Sequence, residues 1–410
     1  MMAESSNYVE GDTDMSDRED KMNLAYLPYV PLLKVFSYLN VKDRMKCTLV
    51  CKTWRNTVLS PQLWGVVNPI QWACGHWEDD ICAHSGVEEK MLKEKRLSRV
   101  WSKAENYLKL HGNVNDILLP SYFHIHELDT FKGLIQEYKV LSGFIKYLLP
   151  HIGTGIQKCV FATSGVTRDC LLNIILLSCP NLTHLDLSFT GIGENAFYGL
   201  WEYDVCVNLQ YLNFTCCYNL TDKAISNLVK CWTYREEEEE ENDDNKSLMQ
   251  TVTVPSIECD IKQAYKDLMD GDDEMLEPFQ SWNALLGSVV RPQLNYKNCK
   301  NVKLSCTKGR KRQLAGLRYL NLSGCTVLTD RSLYSLITCK EALKNLQFLD
   351  VSGNCFFTSK GLSDLVKWCP SLKPEDLYYC VSLVNGPFRF TANGCSNLQS
   401  STRPCCIPLE

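Results

Sequence analysis

The chain has 410 residues, 45% of them hydrophobic, with 43 Lys+Arg against 48 Asp+Glu. That length and apolar fraction suit one large or two modest domains with a real core, and exclude a disordered or fibrous chain. A net charge of -5 argues against a polyanion binder, so no direct nucleic-acid contact is expected, and it gives no reason to expect a membrane as partner. The first twenty residues carry seven acids and one base and hold no apolar run that reads as a signal peptide. The longest apolar stretch, Cys170 to Cys179, is interrupted by Asn173 and falls short of the roughly 20 residues that span a bilayer. The chain is therefore expected in the cytoplasm or nucleus. In such a reducing compartment its 22 cysteines read as buried small hydrophobes or metal ligands rather than disulfides.

Residues 1–23 are acidic and polar and are expected to be disordered. From residue 24 to 64 the pattern changes. Leu27-Pro28 leads into Leu32, Leu33, Phe36 and Leu39 at helical spacing, Asn40 to Asp43 breaks the run, and Leu49, Val50 and Trp54 mark a second helix before Leu63-Trp64. So many large apolar side chains in forty residues exceed what so small a core can bury, which leaves surface for a partner. The Leu-Pro pair, the Val50-Cys51-Lys52-x-Trp54 stretch and the closing Leu-Trp together resemble an F-box. That resemblance implies a Skp adaptor of a cullin-RING ubiquitin ligase as partner, contacted through Leu27, Pro28, Leu32, Phe36, Leu39, Val50 and Trp54.

Residues 65–155 carry Trp72, Trp77 and Trp101 and amphipathic helical patterns, and are expected to be a helical linker region. His111, His124, His126 and His151 do not recur at the i, i+3 or i+4 spacing of a di-iron bundle, so they read as surface and packing residues.

A repeat follows over 156–379. Leu182-x-x-Leu185-x-Leu187 recurs from Leu209, Leu317 and Leu346, with steps of 27 and 29 residues and weaker units at Ile156 and Leu372. A short strand, a polar turn and a helical apolar patch at this period are the grammar of leucine-rich repeats, which stack because no single unit can bury its own apolar face. The 108-residue step from Leu209 to Leu317 contains Glu236 to Glu241, Asp243 and Asp244. Residues 233–313 therefore read as a long acidic insertion, with degenerate repeats as the rival reading because 108 is four times 27. The basic cluster Lys308, Arg310, Lys311 and Arg312 reads as a solvated hinge where the insertion rejoins the solenoid. The expected fold is α/β, a short helical F-box followed by a leucine-rich-repeat solenoid.

The last segment, 380–410, is a Cys-rich tail in which Cys380, Cys395, Cys405 and Cys406 lie beyond the repeat's own cysteine positions. Four thiolates in a Gly- and Pro-containing segment can converge on tetrahedral zinc or on an iron-sulfur cluster; the absence of C-x-x-C knuckles and the adjacent pair Cys405-Cys406 tilt the spacing weakly toward iron. The run Cys369-Pro370-Ser371-Leu372, Tyr378-Tyr379-Cys380, Asn385-Gly386-Pro387, Gly394-Cys395, Asn397-Leu398-Gln399 and Cys405-Cys406, with Phe36-Ser37-Tyr38-Leu39 earlier, is similar to the iron-responsive F-box/leucine-rich-repeat subunits that target iron-regulatory proteins for ubiquitination. The resemblance implies a 2Fe-2S cluster on Cys380, Cys395, Cys405 and Cys406, and an iron-regulatory protein as substrate. The vertebrate form of that family begins with a hemerythrin-like domain, whereas 23 residues precede the F-box here. No G-x-S-x-G, Walker or H-E-x-x-H motif occurs in the sequence, so a non-catalytic ligase subunit is expected.

Overall fold

A computed structural model of the chain describes residues 27–77, 133, 136–203, 205–233, 314–380, 383 and 385–396. The expected N-terminus at 1–23 and most of the insertion at 233–313 lie outside them.

Three short helices open the fold, α1 (Tyr29–Ser37), α2 (Val41–Cys47) and α3 (Lys52–Val58). The Asn40 side chain caps α2 by accepting from Asp43 N, and Cys51 Sγ accepts from Trp54 N at the start of α3. Leu32 and Phe36 fall on one face of α1 and are buried, and the Phe36 ring meets Trp54 edge to face with centroids 5.2 Å apart. Arg44 is buried beneath this hairpin, where its guanidinium donates to Phe36 O at 3.2 Å and Leu63 O at 2.9 Å. Trp64 closes the unit by donating from Nε1 to Val58 O at 2.7 Å.

The segment after Trp64 departs from the expected helical linker. Val66–Val67 form β1 and pair in parallel with β2 (Lys158–Val160), Val66 opposite Lys158. A two-residue strand is too short to show alternation in a sequence, which is why it read as linker. Beyond β1 comes α4 (Pro69–Ala73), and a helical stretch over 136–143 runs through π-helical Phe144–Leu148 into α5 (Leu149–Ile152). Leu141, Phe144, Ile145, Leu148, Leu149 and Ile152 recur at i, i+3 and i+4 and are all buried. Pro150 lacks the N–H that would continue the helical ladder, and the widened turn sits just before it. Glu137 on this stretch is buried and accepts from Ser164 Oγ and Val166 N, fastening the helix to the first turn after β2.

The remaining strands are β3 (His184–Asp186), β4 (Tyr211–Asn213), β5 (Tyr319–Asn321), β6 (Phe348–Asp350) and β7 (Leu377–Tyr378). Together with β1 and β2 they make one seven-stranded parallel sheet in chain order. Cys159, Leu185, Leu212, Leu320, Leu349 and Leu377 stand in register and are buried, so one face of each strand lines the core. The opposite side is built from α6 (Asp169–Ser178), α7 (Asp222–Thr233), α8 (Asp330–Thr338), α9 (Lys340–Leu343) and α10 (Ser359–Val366), with a 3-10 turn at Leu200–Glu202 where one repeat has no full helix. The solenoid and the expected α/β class are thus observed. β4 pairs directly with β5, Tyr211 opposite Tyr319.

The repeat cysteines have a definite role. Cys217 Sγ donates to Leu187 O at 3.0 Å and Cys325 Sγ to Phe214 O at 3.1 Å, while Asn354 Nδ2 does the same to Leu322 O at 2.9 Å. Each adds a second hydrogen bond to a turn carbonyl of the preceding repeat: Leu187 O also accepts from Thr190 Oγ1, Phe214 O from Cys217 N and Leu322 O from Cys325 N. A single buried core runs from Leu32 to Tyr379.

Candidate functional site

Three surfaces carry chemistry beyond packing. The first is the outer face of the N-terminal helices. Val30 is 71% exposed, Tyr38 76%, Leu49 78% and Val50 59%, with Tyr29 and Val35 also exposed. Of the sequence-selected adaptor residues, Pro28 and Val50 lie on this surface, Leu27, Leu39 and Trp54 are half-buried against the core, and Leu32 and Phe36 point into it. The sequence reading missed Val30, Tyr38 and Leu49. The signal at Val30 and Tyr38 was an apolar residue on the polar side of α1 and at its C-cap, whereas Leu49 lies with Val50 in the turn between α2 and α3 and not on the second helix that their spacing suggested.

The second surface is the outward face of the sheet. In β3 to β6 the residue before the core leucine is aromatic, and the rings stack across strands: His184 on Tyr211 at 5.5 Å, Tyr211 on Tyr319 at 4.1 Å and Tyr319 on Phe348 at 4.4 Å; Tyr378, which follows Leu377 and stands opposite Asp350, tilts against Phe348 at 5.6 Å. Parallel, in-register strands about 4.8 Å apart impose that spacing. Burial and the neighbouring Tyr319 push the Tyr211 hydroxyl well above its ordinary range, and burial does the same to Tyr319. Burial, then the charge of Lys158, hold the His184 imidazole below its usual value, so the row is uncharged near neutral pH. Two residues further along each strand stand Asp186, Asn213, Asn321 and Asp350, whose Oδ1 atoms accept from the N–H two residues on. This ring row escaped the sequence reading, although its signal, an aromatic or His just before the second leucine of the repeat, recurs four times in succession.

The third is the cysteine site. Cys380 follows β7, and the chain returns over 385–396 to cover the last strand: Asn393 N donates to Leu377 O at 3.1 Å and Tyr379 Oη to Pro387 O at 2.9 Å. This brings Cys395 against Cys380, both buried and set apart from the main core. Neither is in a disulfide. Whereas Cys217 and Cys325 donate to carbonyls, the Cys380 sulfur accepts, from the Gly353 N–H at 3.1 Å. A peptide N–H on sulfur suits a thiol such as Cys51 as well as a thiolate ligand, and the buried juxtaposition of Cys380 and Cys395 lets the two supply half of a four-thiolate centre. Cys405 and Cys406 lie outside the described residues, and among the described residues no cluster of three or more metal-ligating side chains forms. Asp350 stands beside this pair. Burial raises its carboxyl, and hydrogen bonds from the Ser352 N–H, the Ser352 hydroxyl and the Ser396 hydroxyl pull it back down.

An F-box-like family model matches residues 24–67, and a leucine-rich-repeat model matches 178–195 and 342–366. The chain carries an F-box-like segment followed by leucine-rich repeats. It is similar along most of its length to F-box/LRR-repeat protein 5 of Xenopus tropicalis, with 27% identity over an alignment covering 96% of this chain and 70% of that one. The same-named protein of Bos taurus is 24% identical, covering 97% of this chain and 72% of its own length. Among solved structures, the complex of Rad7 and Elc1 in yeast aligns over 72% of this chain and 78% of its own at 14% identity, with a TM-score of 0.20 too low to bear on the fold. The F-box match takes in β1 as well as α1 to α3, so the F-box of this protein and its repeats share a sheet.

Proposed function

We propose that this F-box/leucine-rich-repeat protein is the substrate-recognition subunit of a Skp-cullin-F-box ubiquitin ligase, working in the cytoplasm or nucleus, with no catalytic centre of its own. The observation that carries the reading is the exposed apolar face of Val30, Tyr38, Leu49 and Val50 on an F-box whose own core is already filled by Leu32, Phe36 and Trp64. Apolar side chains that a domain has no means of burying itself are the material of a partner interface. The Skp adaptor docks there and brings the cullin-RING core. A protein substrate docks on the sheet face along the His184–Tyr378 ring row, where flat aromatic edges offer area at low entropic cost. Catalysis is then positional: holding a substrate lysine near the charged conjugating enzyme raises its effective concentration.

The substrate we propose is an iron-regulatory protein, on the family resemblance of the tail. Cys380, Cys395, Cys405 and Cys406 hold a 2Fe-2S cluster, a reading supported by the buried Cys380–Cys395 pair. When bound, the cluster supplies a one-electron redox centre that cross-links the tail to the last repeat. The test is co-purification with a Skp adaptor under anaerobic conditions, with metal analysis and a visible spectrum. Adaptor capture together with an iron-sulfur absorption envelope is expected. A chain that captures no adaptor refutes the ligase reading, and zinc or no metal in the captured complex refutes the cluster.

A further inference from the structure

We infer that Asp350, Ser352 and Ser396 form a positioning clasp that sets Cys395 against Cys380, so that the last full repeat shapes the cysteine site and the tail does not do so alone. The inference rests on the cluster reading above and goes beyond it by assigning residues that bear no sulfur.

The geometry is specific to this repeat. Asn213 and Asn321, at the equivalent strand positions, use one oxygen to accept both the N–H and the hydroxyl of Thr215 and Ser323. Asp350 makes the same turn with Oδ1, accepting from Ser352 N at 2.9 Å, but its second oxygen, Oδ2, accepts from Ser396 Oγ at 2.8 Å. Ser396 N in turn donates to Ser352 Oγ at 2.9 Å. Both polar atoms of the residue next to Cys395 are thereby tied to the turn that also supplies Gly353 N–H to Cys380 Sγ. An amide at 350 offers only one acceptor oxygen, so Asn would keep the turn and lose the clasp. Contacts one layer behind metal ligands fix ligand orientation, and their loss typically weakens metal binding by about 10- to 100-fold.

The test uses the full chain reconstituted anaerobically with ferrous iron and sulfide, as wild type, Ser396→Ala, Ser396→Thr and Asp350→Asn. Loss of visible absorption against excess chelator and the reduction potential are read, with thermal melting as a check on the repeats. Ser396→Ala and Asp350→Asn are expected to lose the chromophore about tenfold faster or more, with a shifted potential and an unchanged melt, while Ser396→Thr, which keeps the hydroxyl, stays near wild type. Wild-type retention and potential in Ser396→Ala overturn the inference, as does a Ser396→Thr variant no better than the alanine. A wild-type chain that takes up no iron-sulfur chromophore overturns the cluster reading itself and the clasp's role with it, an outcome read in the wild type and so distinct from the others.

Discussion

Asp222 and Thr329 are 107 residues apart in sequence and share two hydrogen bonds: Thr329 N donates to Oδ1 at 2.9 Å and Thr329 Oγ1 to Oδ2 at 2.6 Å. The first residue of α7 thus holds the N-cap of α8 in the next repeat. Asp330 repeats the arrangement with Thr358 at 2.8 and 2.6 Å, so the helical side carries its own carboxylate-to-cap clamp from repeat to repeat. At Asp222 that clamp joins the repeats that lie before and after residues 234–313 in the chain.

Asp222→Ala is expected to lower stability by about 1–3 kcal/mol, because the Thr329 N–H and hydroxyl lose their shared acceptor. Urea denaturation followed by far-UV circular dichroism measures it. Deleting 236–300 is expected to cost less than this, since closure entropy changes slowly with the length of a connection and β4 pairs directly with β5.

Gly155 lies against the F-box. A Cβ there would stand 1.9 Å from Pro61 O, a clash with backbone that no side-chain rotation relieves. Gly155→Ala is expected to destabilise by about 1–3 kcal/mol through displaced backbone, and a melting temperature equal to wild type would show that the contact is softer than it stands here.

The F-box divides into residues that hold it together and residues that remain available. Phe36→Ala should cost about 3–5 kcal/mol of stability, since it empties a buried site beside Trp54. Leu49→Asp should leave the melt unchanged and weaken adaptor binding at least about tenfold, the scale of one interface anchor. Titration calorimetry against a Skp adaptor separates the two effects, and an undiminished affinity in Leu49→Asp would move the interface elsewhere on the domain.

Burial pushes the thiols of Cys217 and Cys369 up to about 12 from an ordinary 9.0. At pH 8 they carry almost no thiolate, so iodoacetamide should spare both while modifying the exposed Cys74 and Cys355. Peptide mapping after alkylation reads this directly. The linkage has a definite sign. Unfolded thiols ionise near 9.0 while the folded ones stay protonated, so these groups favour the fold below pH 9 and the benefit is lost as pH rises toward 12.

The leucine spacing revealed the repeats because each inward position is a large aliphatic in a fixed register, and burial tolerates little else there. The ring row was equally periodic but occupies outward positions, which leucine counting passes over. On α1 the spacing of Leu32, Phe36 and Leu39 marks one stripe, yet Val30, Val35 and Tyr38 are apolar too; periodicity alone does not say which stripe faces the core when both are hydrophobic. The strand Val66–Val67 left no trace because two residues have no period. Cys380 and Cys395 stood out only by falling after the repeats ended, and the serines and aspartate around them look like ordinary turn residues until the chain is folded back.

That same two-residue strand leaves the molecule without a wrist. Gln157 N and Lys158 N both donate to Gly65 O at 2.9 Å, and Val67 stands opposite Cys159 in the sheet, so the backbone itself, rather than a tether of variable length, connects the two ends. Whatever is held at α1 and whatever is held along the ring row are kept at one separation and one relative angle. For a partner gripped at both ends the fold acts as a ruler, and which of its side chains come within reach becomes a question of distance more than of sequence.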